Sequence, residues 1–384
     1  MKRIILAAVC GATAVLTACT AGAPSVETAP FGRLSSGAEV TLYRLRSGNG
    51  ASMEVIDYGC RVVRICVPDR NGAIADIVPG YDDIRDFETG SERFFGALIG
   101  RYGNRIANAS FPLDGDTVRL TANECLAGCP GHLHGGTKGF DRVMWQAEPL
   151  VETDRAGVRF TRLSPDGEEG YPGNLDITVT YSLTPDNGLV IDYEATTDAP
   201  TIVNPTSHVY YNLHGTTEHS TDSHLLTIHA SGFTPTDAGL IPTGEILPVE
   251  GTPLDFRTPH AIGERIGQTD YEPLAFGNGY DHNWALDKPE AGTVSLAAEA
   301  YEPATGIRMK IYTDQPGLQF YAGQGMDGKE VGKRGDRHNF RSGIALETQN
   351  FPDAPNHDNF PSSVLRPGET YTQHTVYAFE TDEQ

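Results

Sequence analysis

The chain has 384 residues, with 29 Lys+Arg against 51 Asp+Glu and a formal charge of −22. So acidic a surface repels nucleic acid and anionic headgroups, which excludes charge-driven binding to either. With 43 Gly and 25 Pro, long helices have little room, and the chain is long enough for a large core and more than one sheet.

The N-terminus reads Met1-Lys2-Arg3, then an apolar stretch over 4–16, then Thr17-Ala18-Cys19. A basic start, a short apolar run and small residues predict an export signal over 1–18, because a spanning helix needs roughly 20 apolar residues. Leu16-Thr-Ala-Cys19 resembles the bacterial lipobox. That resemblance implies lipidation of Cys19, membrane attachment through this anchor alone, and a periplasmic or cell-envelope location. Residues 19–30 are small and Pro-containing, which predicts a flexible tether, with one folded domain over 31–384.

Alternating apolar residues predict strands at 39–46, 52–58 and 61–67, then a short helical turn near 83–88. Cys60 and Cys66 flank the third of these strands and stand about 20 Å apart along it, too far to bond. An apolar run at 94–99 leads into Gly100-Arg-Tyr-Gly103-Asn104-Arg105-Ile106, placing polar groups at a strand end or tight loop. Arg105 offers a planar fork for paired hydroxyls or a carboxylate, or else ties a loop to backbone carbonyls. Next comes Cys125-x3-Cys129-x2-His132-x-His134-Gly-Gly136. Its cysteines are spaced for a small-loop disulfide in an oxidising compartment, whereas a zinc set built from them with His132 and His134 is sterically cramped.

Further strands are predicted at 157–163, 225–230, 307–313 and 371–379, with a second helical turn near 260–266. The clearest hairpin pairs Leu175, Ile177, Val179, Tyr181 and Leu183 with Leu189, Ile191, Tyr193 and Ala195 across Thr184-Pro-Asp-Asn-Gly188. The chain therefore reads as all-β, a large antiparallel β-sandwich of two packed sheets.

Three later segments carry chemistry. Asn204-Pro-Thr-Ser-His208-Val-Tyr210 sets a histidine beside aromatics, and Gly279-Tyr-Asp281-His-Asn-Trp284 puts a carboxylate and a ring in a loop before a strand. In Gly343-Ile-Ala-Leu-Glu347-Thr-Gln349, an acidic residue ends a short apolar strand at the mouth of the scaffold. One carboxylate with separate histidines is acid/base equipment without an obvious nucleophile.

Taken in order, Asn104-Arg105-Ile106, Leu133-His134-Gly-Gly, Asn204 to Leu213, Gly279-Tyr-Asp281-His-Asn, Gln315-Pro-Gly-Leu-Gln319-Phe-Tyr and Leu346-Glu347-Thr-Gln closely resemble the aldose 1-epimerase (galactose mutarotase) family. The resemblance runs over about 36–380 and implies a β-supersandwich that interconverts α and β anomers of free hexoses such as glucose and galactose without a cofactor or metal. By the same resemblance Glu347 is the general base at the anomeric hydroxyl, His208 the general acid at the ring oxygen, and His134 a second pocket histidine. Asn104, Arg105, Asp281 and Gln319 would hold sugar hydroxyls with Tyr210 alongside. Chemistry of this kind calls for a carboxylate and an imidazolium whose pKa values are brought toward neutrality. Val209 and the loop at Cys125 to Cys129 depart from the family pattern, which bears on sugar preference and not on reaction type.

Two other classes fit the same scaffold. A non-catalytic sugar-binding lipoprotein has no need of both proton-transfer partners, and a hexose-phosphate epimerase or polysaccharide lyase needs a cationic cluster beyond Arg105.

Overall fold

The computed structural model describes residues 23–48 and 50–382. Its largest unit is a nine-stranded antiparallel sheet running from Gln146–Val151 through the hairpin Leu175–Leu183/Gly188–Thr197, then Tyr371–Thr381 and Ile307–Thr313, to His260–Ala261. In that hairpin Leu183 faces Leu189 and Ile177 faces Ala195, so every apolar residue of the predicted pattern lies on the core face.

A second layer covers this sheet. At one end it is a five-stranded sheet formed by Ser25–Arg33, Glu39–Arg46, Ser52–Ile56, Arg61–Pro68 and Ile74–Asp76, and at the other a six-stranded sheet centred on Gly317–Tyr321 and Ile344–Gln349. Between them lies the short pair Ala97–Ile99/Thr206–His208. It is tied to the first by Val62 N–H donating to Gly96 O (2.9 Å) and to the second by Thr206 Oγ1 donating to Thr348 O (2.9 Å). Contacts between layers are made by Tyr43 on Phe160 (ring centroids 6.2 Å apart) and by Tyr211 on Tyr377 (5.5 Å). The Tyr377 hydroxyl donates to Leu346 O at 3.1 Å, so the polar tip of a buried ring is satisfied.

The first helical turn is present as the helix Ile84–Thr89, where the Asp83 side chain accepts from Arg85 N–H. The second is present as the 3-10 turn Ile262–Glu264, and a further helix that was not expected, Glu272–Gly277, starts with Pro273 in its first turn and ends on Asn278 in the left-handed region. The tether also needs correction. Ser25–Arg33 is a strand paired with Glu39–Arg46, so residues 25–30 belong to the sheet and are not a free tether. Its composition conceals this because the hydrogen bonds come from the partner's open edge, while Val26 packs on the core and the Phe31 ring meets Phe87 at 6.2 Å. Cys60, Cys66 and Cys125 carry free thiols, whereas Cys19 and the 1–18 leader lie outside the described residues.

One buried charge cluster fixes the central strand pair. Arg61, wholly buried, donates to Phe95 O (2.8 Å) and Asp141 O (3.1 Å), with the Asp141 carboxylate 3.8 Å away and gripped at 2.6 and 2.7 Å by Arg93. Removing the carboxylate charge leaves the Arg61 guanidinium uncompensated in the core. Asp141→Asn is expected to destabilise the fold by about 3 kcal/mol, seen as a lower denaturant midpoint at unchanged slope; an unchanged midpoint would count against this role.

Candidate active site

A cavity of about 190 Å³ is lined by Glu92, Phe94, Asn104, Arg105, Leu133, His134, His208, Tyr210, Asp281, Tyr321 and Glu347, none of them on the nine-stranded sheet. Seven of the eight pocket residues expected from the sequence line it. The eighth, Gln319, lies behind Asp281 and donates to its Oδ1 at 2.7 Å. Register explains the convergence: Gln319 sits opposite Glu347 on one neighbouring strand and opposite Asn283 on the other, which brings Asp281 and Glu347 to the same mouth of the six-stranded sheet. Two local expectations change. Glu347 does not end its strand but lies inside Ile344–Gln349, 2% exposed, and Asp281 opens the strand Asp281–Ala285 rather than preceding it.

His134 and Asn104 hold each other. His134 N–H donates to Asn104 O (3.0 Å), and Asn104 N–H donates to His134 Nδ1 (3.1 Å). Accepting at Nδ1 places the ring proton of the neutral imidazole on Nε2 as a donor. His134 has φ 49° and Asn104 φ 60°, and Gly135 follows at φ 81°, where an added Cβ would fall 1.7 Å from Gly100 O. Only glycine fits there, which is the physical content of the His-Gly-Gly motif. Burial, reinforced by the charges of His208 and Arg105, holds His134 well below the usual imidazole range and therefore neutral.

Arg105 does not point an empty fork at the pocket. Its Nε and Nη2 are engaged by Glu124 at 2.7 and 3.0 Å, so the guanidinium presents a fixed edge. Glu124 was missed because its strand, Glu124–Leu126, is too short to carry a periodic signal.

His208 ends the strand Thr206–His208 with its ring between Phe94 (5.6 Å) and Tyr210 (5.1 Å), and its Nε2 stands 3.6 Å from Glu347 Oε1. Burial pulls the imidazole down to about 4. Glu347 is pushed well above the ordinary carboxyl value by burial, then by Asp281 and Glu92, with Arg105 opposing. The sequence led us to expect both values near neutrality, but each is displaced toward its uncharged form. A protonated carboxyl beside neutral imidazole contains the same protons as a carboxylate beside imidazolium. The two differ only by an internal transfer, so the buried pair carries the one proton that acid/base work requires. Glu347 Oε2 has no protein hydrogen-bond partner and is free to accept from a ligand hydroxyl.

Among the described residues two clusters have the reach of metal sites: His134, His208 and Glu347, and a separate trio of His214, His224 and Glu302. In the first, His134 presents a proton and not a lone pair. In the second, Leu213 N–H donates to His224 Nε2 (2.9 Å), which leaves the ring proton on Nδ1, 3.0 Å from Glu302 Oε2. Burial alone would raise Glu302, but His224, Ala304 N–H and Ser223 bring it to about 2, as suits a hydrogen-bonded structural carboxylate. In the cramped cysteine–histidine set both His132 ring nitrogens are taken, by Thr121 O (2.8 Å) and the Tyr171 hydroxyl (2.7 Å).

Phe94, Tyr321 and Glu92 were not anticipated. Phe94 opens the apolar run before Asn104 and Tyr321 follows Gln319-Phe, so both lay within reach of the motifs, whereas Glu92 occupies an irregular segment with nothing to mark it.

The sequence matches the family model of aldose 1-epimerase over residues 41–378. Galactose mutarotase of Homo sapiens is 41% identical over 357 residues, 92% of this chain and 98% of its own length. Aldose 1-epimerase of Escherichia coli K12 is 36% identical over 341 residues, 88% of this chain and 94% of its own. The crystal structure of galactose 1-epimerase from Lactobacillus acidophilus matches with a TM-score of 0.81 at 25% identity, covering 94% of this chain and 100% of that one.

Proposed function

The chain belongs to the aldose 1-epimerase family, and from that premise we propose that Glu347 and His208 are the proton-transfer pair for ring opening and closure of a free aldohexose. The enzyme interconverts the α and β anomers of an aldose. The observation that carries the assignment of roles is the 3.6 Å separation of His208 Nε2 from Glu347 Oε1 at the cavity wall, with Glu347 Oε2 unpartnered. A hemiacetal held there gives its anomeric hydroxyl proton to the Glu347 carboxylate and receives a proton from the His208 imidazolium on the ring oxygen. The C1–O5 bond breaks, and its electron pair leaves on O5. C1 becomes an aldehyde, rotation about C1–C2 turns its other face to the hydroxyl, and the reverse transfers close the ring as the opposite anomer. Neutral His134 donates through Nε2–H to an oxygen at the reacting end. Asn104, Arg105 and Asp281 orient the hydroxyls, Gln319 acts by fixing Asp281, and the rings of Phe94, Tyr210 and Tyr321 cover the apolar faces of the sugar.

Polarimetry on freshly dissolved α-glucose, α-galactose and arabinose tests this reading and ranks the substrates. A faster approach to an unchanged final rotation is expected for the hexoses. A course identical to buffer alone for all three sugars would overturn it. The alternative of a pocket that binds without turnover would give that same null rate together with saturable binding.

The export signal and Cys19 anchor belong to the same proposal, supported by the Leu16-Thr-Ala-Cys19 sequence. Among the described residues no helix is long and apolar enough to cross a membrane. Cys19→Ser is expected to abolish lipid labelling and shift the protein from the membrane to the soluble fraction of the cell envelope. Unchanged membrane association in that variant would remove the anchor from the account.

A further inference from the structure

The cavity is more acidic than the roles above require. Asp281 and Glu347 are joined by Glu92, whose Oε1 accepts Phe94 N–H at 3.1 Å and which lies against the Tyr210 hydroxyl. Arg105, the only cationic side chain among the described residues that line the cavity, already has its fork closed by Glu124. The wall continues in the same sense, because Glu92 also borders a neighbouring cavity of about 280 Å³ lined by Asp327 and Glu330. Three acidic side chains thus face the ligand against one guanidinium already paired with Glu124, and Glu92 borders both cavities.

We propose that Glu92 is a specificity-determining residue of this site. Its carboxylate accepts a hydrogen bond from a hydroxyl of the bound aldose and bars aldoses that carry an anionic group, uronic acids and sugar phosphates, while admitting neutral and 2-amino sugars. The proposal rests on the aldose reading of the same cavity. In a site shielded from water a like charge weighs far more than on the surface, and discrimination by repulsion needs no added contact to the favoured ligand. Burial raises the Glu92 carboxyl above its ordinary value, with Phe94 N–H and Tyr210 opposing, so the comparison is made as a pH series in which the charge effect grows as the pH rises.

The test is an NMR titration of galactose, galacturonate and galactosamine against wild type, Glu92→Gln and Glu92→Asp, which reads binding whether or not turnover occurs. The Gln amide oxygen still accepts Phe94 N–H, so the loop is retained. Glu92→Gln is expected to improve the galacturonate-to-galactose affinity ratio by on the order of 10-fold and to worsen the galactosamine-to-galactose ratio comparably, while Glu92→Asp keeps the wild-type ranking. Ratios that do not move in Glu92→Gln, or a galacturonate affinity in wild type equal to that of galactose, would overturn the assignment. Absence of galactose turnover in wild type would instead strike the aldose 1-epimerase reading and leave the affinity ratios to judge Glu92 separately.

Discussion

Glu347→Gln is expected to lower kcat for galactose anomerisation by on the order of 10²- to 10⁴-fold while leaving the fold intact. The amide has the carboxyl's shape and can still accept a hydrogen bond, but it cannot take a proton. Burial already disfavours the carboxylate, with Asp281 and Glu92 adding to that effect. The change therefore removes a group whose charge is costly in the folded state, and stability should hold or rise even as activity collapses. That opposition separates a catalytic role from a structural one. Polarimetric kcat alongside denaturant unfolding decides it, and near-wild-type turnover would take Glu347 out of the mechanism.

His208→Asn is expected to cost a comparable factor and to change the shape of the pH profile. In wild type the active state holds one proton on the pair. On the acid side kcat/KM falls when a second proton enters, and because burial brings His208 to about 4, that limb lies below the ordinary imidazole range. On the alkaline side the rate falls when the last proton leaves, and burial of Glu347 puts that limb above the ordinary carboxyl range. Both apparent values belong to the pair. Once the imidazole is replaced by an amide there is no donor left to lose, and Glu347 must simply be ionised. The residual rate should climb with pH and stay high, so the alkaline limb disappears. A bell retained in this variant would place the donor elsewhere, with His134 the first to be examined.

Much of this was legible in the chain. The hairpin at Leu175–Leu183/Gly188–Thr197 and the strands at Glu39–Arg46 and Ile307–Thr313 announce themselves because one face of each is buried and alternation is forced. The short strands that build the pocket, Ala97–Ile99, Thr206–His208 and Tyr210–Tyr211, are too brief for any period to register and buried on both faces. Their residues were found through motif resemblance instead. Ser25–Arg33 escaped because its order is imposed by a partner edge. The helix Glu272–Gly277 escaped because its single turn is hidden among Gly, Pro and Asn. In the site, residue identity indicated acid/base chemistry, but the charge state did not follow from it. Whether Glu347 and His208 are charged depends on burial and on Asp281, Glu92 and Arg105, all distant in sequence. Glu124 and Glu92 show the same limit, since each matters through one tertiary contact.

Proton transfer at O1 and O5 implies that anomerisation cleaves C1–O5 and leaves C1–O1 intact. The most direct test is the fate of a heavy-oxygen label on C1 of α-galactose during catalysed conversion. β-Galactose should form at the catalysed rate with its label retained, because the anomeric oxygen stays bonded to C1 throughout. Loss of label to water at the catalysed rate would mean that C1–O1 breaks instead, and would contradict the roles given to Glu347 and His208.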